Sequence, residues 1–520
     1  MPQPSSPQNS RTGPTDPGLH VGRPFWPSDQ TGLVQGPSSS ESPYLVRLDP
    51  HVSLTSIATV GDHLPSEDPG YAFSGLLDGL GAFDNGDGTF TLLANHEISP
   101  TLGAVRDHGS TGAFVSELVI DKKTLEVVEA HDLIQTVHLW NDASGAYEVG
   151  STAFNRFCSG DLPSASAIYN AASGLGYGDG LIYLNGEETA DGRAFAHIAS
   201  GPEAGQTYEL PWLGRLAFEN VVASPNSGDK TVVMLTDDTT PGQVYVYIGD
   251  KQDHGNAVEK AGLVGGKLYA VQVVDADGHA LNEDRMTAFG PGTDPDGDGN
   301  VEHHFKLVEI AGDAGENITL MNGAQVEADS NAAGATKFLR PEDGAWDTQD
   351  PNGFYFVTTD RFDSLKAETG DVAGRSRLWD LKFDDLDNPT AGGRIEMMLD
   401  GTEPQQMMDN ITVNRAGQVL IEEDPGNQDY LAKVWIYDPG SDSLTLLAQH
   451  DPARFLPGAA HFLTKDEESS GILDVSSILG RGNKDVYLLD VQAHYGAGPT
   501  LVEGGQLLAM EVDFRGGWLA

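Results

Sequence analysis

One cysteine, Cys158, stands in 520 residues. No internal disulfide can staple such a chain, so its order comes from a core or from bound ions. Basic residues are scarce as well: 30 Lys and Arg face 78 Asp and Glu, a formal charge of −48. That balance argues against nucleic acid and anionic membranes as partners, because both are held by basic surface. No apolar run is long enough for a membrane-spanning helix. The stretch 1–42, rich in Pro, Ser and Gln, lacks the apolar centre of a secretory leader and reads as a disordered or loosely draped arm. Helical windows are few, Pro163–Ala172 and Asp363–Glu368 being short candidates. There is no phosphate-cradling P-loop and no Gly-x-Ser-x-Gly elbow, which leaves Ser159 without the surroundings of a serine nucleophile.

What is present is strand after strand. Short apolar runs such as FTLLANHE (90–97), GLIYLNGEE (180–188), GQVYVYIGD (242–250), GFYFVTTD (353–360) and DVYLLDVQAH (485–494) are parted by Gly, Asp and Asn turns. An inner strand followed by an outer hairpin is how propeller blades are built. The fold class expected is all-β, a β-propeller interrupted by long insertions with a few short helices. One catalytic domain is expected over 43–520, with an insertion at 280–335, because no linker composition divides the chain after residue 43. A β-sandwich followed by a second β domain is the weaker arrangement.

Several apolar strands end in acids: Asn95-His96-Glu97, Asn185-Gly186-Glu187-Glu188, Phe218-Glu219-Asn220, Arg340-Pro341-Glu342-Asp343, Asp409-Asn410 and Glu422-Glu423-Asp424. Taken singly, such acids cap turns. In a propeller the innermost strand ends face one channel, where acids from different blades would converge and need cations. A soft thiolate beside hard carboxylates suggests a mixed metal site. His96, His108 and His197 read as structural, and His303-His304 as a surface pair.

The segments RFCSGDLPSAS, NGEET, LGRLAFENVVA, FLRPEDGAWD, MMDNITVNRAGQVLIEED and EESSGILDVS resemble the PhoX-type alkaline phosphatases over most of residues 43–515. The resemblance implies a six-bladed propeller whose channel holds Fe3+ and Ca2+ and hydrolyses phosphomonoesters. It implies Cys158 as thiolate ligand and Glu219, Glu342 and Asp409 as carboxylate ligands. One of Glu187 and Glu188 would join them, Glu188 by preference, with Glu423 as a weaker member. Arg340 would hold substrate phosphate, and together with Cys158 it completes the expected catalytic pair. The physical reading agrees: Arg340 and Glu342 project to one side of a strand, arginine matches phosphate oxygens, and metals make a positive site inside an acidic shell. Two features depart from the family pattern. A second cysteine of some relatives is Gly186 here, and the twin-arginine leader is not visible. A small phosphorylated substrate, a monomer and an extracellular or periplasmic location are expected. The alternatives are a calcium-dependent lactonase or phytase-like hydrolase, and a non-catalytic calcium-stabilised propeller.

Two further acidic loops are distinct. In TDPDGDGNVEHH, Asp294, Asp296 and Asp298 start like an EF-type loop, but the twelfth position is Phe305, so the choice is between a peripheral calcium and an unliganded turn. The run Asp84–Gly88 reads as a hairpin turn.

Overall fold

The computed structural model describes residues 31–283, 289, 292–293, 301–311, 317–360 and 376–514. Asp294, Asp296, Asp298 and the helix expected at Asp363–Glu368 lie outside them.

The strands form six four-stranded blades, each starting with an inner strand. The inner strands are Leu77–Asp84, Phe157–Asp161, Phe218–Ala223, Pro341–Trp346, Met408–Val413 and Glu467–Asp474, numbered here as blades one to six. Each packs against the next and the sixth against the first, so they close a ring around a central channel. The propeller expected from sequence is the fold observed.

Blade six is completed from the other end of the chain. Its strands Glu467–Asp474, Lys484–Gly498 and Val502–Asp513 are joined by Val52–Thr59, which precedes blade one and pairs antiparallel with Val502–Asp513. Residues 33–35 then pair parallel with that strand. Blades three and four share the bridging strand Glu302–Glu309, which pairs with Lys267–Val274 on one side and Gly393–Leu399 on the other. Blade two carries an added hairpin, Thr136–Asn141 and Ala146–Gly150.

Both faces of each blade are buried against neighbours, which explains the nearly continuous apolar strands. Six apolar clusters fill the six blade interfaces. Leu93, Phe157 and Phe195 lie between blades one and two, and Met234, Phe356 and Trp379 between three and four. Helices are minor among the described residues. Within the expected Pro163–Ala172 window only Ala165–Ile168 is helical, because Tyr169 turns extended and pairs with Gly176. The longest described helix is Gly323–Ala333, opened by an Asn322 capping box and closed by left-handed Gly334. No described helix is long and apolar enough to cross a membrane.

Candidate metal centre

Each inner strand carries a bulge at the same place. In blade one Leu77 pairs with His96 and Leu80 with Ala94, so Asp78-Gly79 oppose the single residue Asn95. The same two-against-one break sets Cys158-Ser159 against Gly186, Glu219-Asn220 against Thr236 and Glu342-Asp343 against Val357. It sets Asp409-Asn410 against Glu422 and Ser470-Gly471 against Asp490. A bulge re-aims side chains that a regular ladder would send into the blade interfaces. Two of the second positions are glycine for lack of room: a Cβ on Gly79 would lie 2.1 Å from the Gly160 nitrogen, and one on Gly471 would lie 2.5 Å from the Asp78 carbonyl oxygen.

The first bulge positions are Asp78, Cys158, Glu219, Glu342, Asp409 and Ser470, one per blade. Five of them, joined by Glu97 just past the end of strand Thr89–His96, supply two sets of converging ligand atoms. Asp78, Glu97 and Cys158 offer atoms within 4.8 Å of one another, and so do Glu219, Glu342 and Asp409. Behind them the second positions are braced. Ser159 Oγ donates to Glu219 at 2.7 Å, Asn410 Nδ2 donates to Ser159 at 2.7 Å, and the Asn220 amide donates to Asp343.

A second tier lies towards the channel mouth. The backbone N–H groups of Glu97, Glu188, Asp238, Thr359 and Asp424 donate to the carbonyls of Leu76, Arg156, Ala217, Arg340 and Met407, each two residues before a bulge position. Four of those preceding residues have left-handed backbones, Leu76 (φ 54°), Arg156 (52°), Arg340 (59°) and Met407 (48°). A non-glycine residue there costs about 1–3 kcal/mol and persists only where surrounding structure imposes it. Arg340 donates through Nε and Nη2 to both oxygens of Asp238, at 2.7 and 2.8 Å, and lies 2.8 Å from Glu342. Arg156 bridges Glu97 and Glu188. Gln492 donates to Asp78, Glu97 and Glu468.

Carboxylates outnumber cations here. Burial, then repulsion from neighbouring carboxylates, pushes Asp78, Glu219 and Asp409 well above the ordinary carboxylate range. Glu342 and Glu188 are pushed up by burial despite Arg340 and Arg156. Asp424 is pushed up to about 7 by burial and Glu468. Burial and then Asp78 hold the Cys158 thiol well above its usual value, so without a cation it is a neutral thiol and a poor nucleophile. His494 is the exception: burial would lower it, but Glu468 and Glu503 outweigh that and raise it to about 11. The donor set fits hard, oxygen-seeking cations, with one soft position beside them.

The sequence-predicted residues divide accordingly. Cys158, Glu219, Glu342 and Asp409 lie in the two ligand sets, and Arg340 and Glu188 at the mouth. Glu187 points elsewhere, accepting from Arg193 Nε (2.8 Å), Arg193 Nη2 (2.7 Å) and the Asn155 amide (3.1 Å). Glu423 is likewise held apart by Trp435 Nε1 (2.8 Å), Tyr430 Oη (3.1 Å) and the Gln406 amide (2.8 Å). Sequence reasoning passed over Asp78, Asp238, Glu468 and Arg156, and noted Glu97 and Asp424 only as strand ends. The one available signal was the apolar-x-x-apolar step at three of the bulges, Leu77 to Leu80, Phe218 to Val221 and Met408 to Ile411. Gly186 leaves no room for a second sulfur, because its Cβ would lie 2.3 Å from Phe218 Cβ. His197 is structural: it links Thr207 to Asn185, which donates to Asn95, which donates to the Cys158 carbonyl. His303, expected at the surface, is buried against Phe289.

At its other end the channel opens into a cavity of about 230 Å3 lined by Leu80, Asp161, Trp346 and Val413. A larger cavity, about 660 Å3, lies beside blade one at Arg106 and His131 and holds none of the grouped ligands.

Residues 200–437 match the model of a family described as alkaline phosphatase PhoX. No curated protein sequence matches the chain. Among solved structures it is similar to Pseudomonas fluorescens PhoX in complex with vanadate, a transition state analogue. That similarity has 14% identity over 89% of this chain and 95% of that one, with a TM-score of 0.62. Fainter likenesses are to the NanB sialidase of Streptococcus pneumoniae (7% identity, 85% and 69% covered, TM-score 0.35) and to a GH93 α-L-arabinofuranosidase of Fusarium graminearum (8%, 83% and 92%, 0.33). In the sequence of its middle and in its propeller fold alike, this chain resembles the PhoX-type alkaline phosphatases.

Proposed function

We propose that the protein is a metal-dependent alkaline phosphatase that hydrolyses phosphomonoesters in the mouth of its propeller channel, with Fe3+ and Ca2+ as the resident cations. The observation that carries this reading is the pair of ligand sets, one containing the only thiol and the other purely carboxylate. A soft-and-hard set beside a hard one suits a transition metal next to calcium. The family match over residues 200–437 supports the substrate class. The Pseudomonas fluorescens protein is described in complex with vanadate, a transition state analogue.

In this reading Asp78, Glu97 and Cys158 hold the softer site, and Glu219, Glu342 and Asp409 the harder one. Bound cations would supply Lewis acidity toward the phosphoryl oxygens. The chain's own contribution is placement. The bulges fix the ligands on inner strands rather than loops, Ser159 and Asn410 brace Glu219 from behind, and Arg340 is held by Asp238 with its guanidinium at the mouth. Without cations the acidic ring would repel a phosphate ester; with them the field reverses locally. A periplasmic or extracellular location belongs to the same reading.

Elemental analysis and a visible spectrum of the purified protein test it, together with hydrolysis of p-nitrophenyl phosphate at alkaline pH. Stoichiometric iron and calcium, a ferric-thiolate absorption band and turnover are expected, with Cys158→Ala losing iron, band and turnover together. Protein without iron or calcium, or Cys158→Ala that keeps its iron, would overturn the assignment. Full turnover with calcium alone and no colour would favour a calcium-only hydrolase.

A further inference from the structure

Arg340 is not the only arginine placed two residues before a bulge ligand. Arg156 has the same relation to Cys158 in blade two that Arg340 has to Glu342 in blade four, with the same left-handed backbone (φ 52° and 59°). Each therefore stands over one ligand set, the two arms separated by blade three.

Their donors are spent differently. Arg340 commits Nε and Nη2 to Asp238 and Glu342. Arg156 uses a single nitrogen, Nη2, for both its carboxylates: Glu97 lies at 2.5 Å and Glu188 beside it. Among the described residues its Nε and Nη1 have no protein side-chain partner. Its side chain is also the more open, 43% exposed against 29% for Arg340. A guanidinium fixed at one corner, with its remaining edge open at the mouth of a channel, is preorganised for a tetrahedral oxyanion.

We propose that Arg156 is a second anion-holding arginine, which grips the phosphoryl oxygens of the substrate from the blade-two side through Nε and Nη1. This rests on the phosphatase reading and deepens it. The alternative role, as a mere counter-ion for Glu97 and Glu188, predicts the opposite behaviour on removal. Two carboxylates freed of their guanidinium would bind a cation at least as tightly, and phosphate affinity would not fall.

The test uses metal-loaded protein. Arg156→Ala and Arg156→Gln are compared with wild type by isothermal titration with inorganic phosphate, by kinetics on p-nitrophenyl phosphate and by elemental analysis. Phosphate binding weakened about tenfold or more, as expected for a lost charge-assisted contact, supports the proposal. So does a KM raised in proportion with metal content undiminished, and partial rescue by Arg156→Lys. Phosphate affinity and KM within about twofold of wild type overturn it, and so does a loss of metal that accounts for the loss of affinity. A wild-type protein that neither binds phosphate nor hydrolyses the ester overturns the phosphatase reading and Arg156 with it. A wild type that does both, alongside variants that do both equally well, overturns Arg156 alone.

Discussion

Removing the cations should make the protein's stability fall steeply with pH. The channel ring is built from carboxyls whose folded values lie above their unfolded ones. Such a group takes up a proton on folding between the two values. Its stabilisation is complete below the unfolded value, near pH 4, and is lost as pH rises through the folded value. Asp343, directly behind Glu342, shows the scale: burial holds it at about 6 instead of 3.8. At one pH unit per 1.4 kcal/mol, this one group withholds about 3 kcal/mol once the pH is well above 6. In a domain of this size that is worth about 3 °C in Tm. Asp78, Glu97, Glu188, Glu219, Glu342 and Asp409 are displaced in the same direction. Together they should lower Tm by more than Asp343 does alone. Bound cations satisfy these charges and remove the penalty. Thermal melts of metal-loaded and chelator-treated protein at pH 5 and pH 9 should therefore differ little at the first and widely at the second. A gap of the same size at both pH values would refute the reasoning, because it would mean that the ring's ionisation is not what the cations offset.

Two further outcomes separate ligands from scaffolding. Glu187→Gln should lower Tm, since breaking a buried pair with Arg193 costs about 3–5 kcal/mol, yet leave the metal content of the folded protein intact. Glu188→Gln should do the reverse, and elemental analysis beside a thermal melt distinguishes them. Gly79→Ala should cost about 2 kcal/mol or more, because its Cβ meets backbone 2.1 Å away, and should reduce metal content by moving Asp78; a variant with unchanged Tm and metal would show that the bulge tolerates a side chain.

The blades were legible because each is buried on both faces. A strand such as Val244–Asp250 or Gly353–Thr358 must then be apolar at nearly every position, whatever its neighbours. The acids at strand ends were legible for the complementary reason: Glu219 and Glu342 interrupt apolar runs where an uncompensated charge is costly. Asp78 failed both tests. It lies in LLDGLGAFD, where Asp-Gly reads as a turn, and only pairing to a partner strand reveals two residues against one. Glu187 and Glu188 were inseparable for a related reason, since alternate residues face opposite sides. Glu187 falls on the side of Arg193 and Glu188 turns to the mouth. The closure of blade six by Val52–Thr59 joins segments some 450 residues apart, a pairing that no local pattern contains.

The six bulges explain why one chain can build two chemically different sites from one repeated device. The doublets Asp-Gly, Cys-Ser, Glu-Asn, Glu-Asp, Asp-Asn and Ser-Gly share a geometry, not a composition. The first position faces the channel and chooses the ligand. The second braces a neighbouring ligand, as Ser159 and Asn410 do, pairs with another second position, as Asn220 does with Asp343, or is glycine where blades approach too closely. In the proposed reading, exchanging the first residue would change the metal preference of one sector, since the ladder beneath it is set by backbone pairing. Blade six is where this freedom is used differently. Its first position is Ser470, and the wall there is formed instead by Gln492 and by the ion pairs of His494 with Glu468 and Glu503. The ligand sets are consequently drawn from blades one to five, and the ring is asymmetric. The sector with neither a carboxylate nor a thiol at its bulge offers the Gln492 amide and the His494 ring as hydrogen-bond donors.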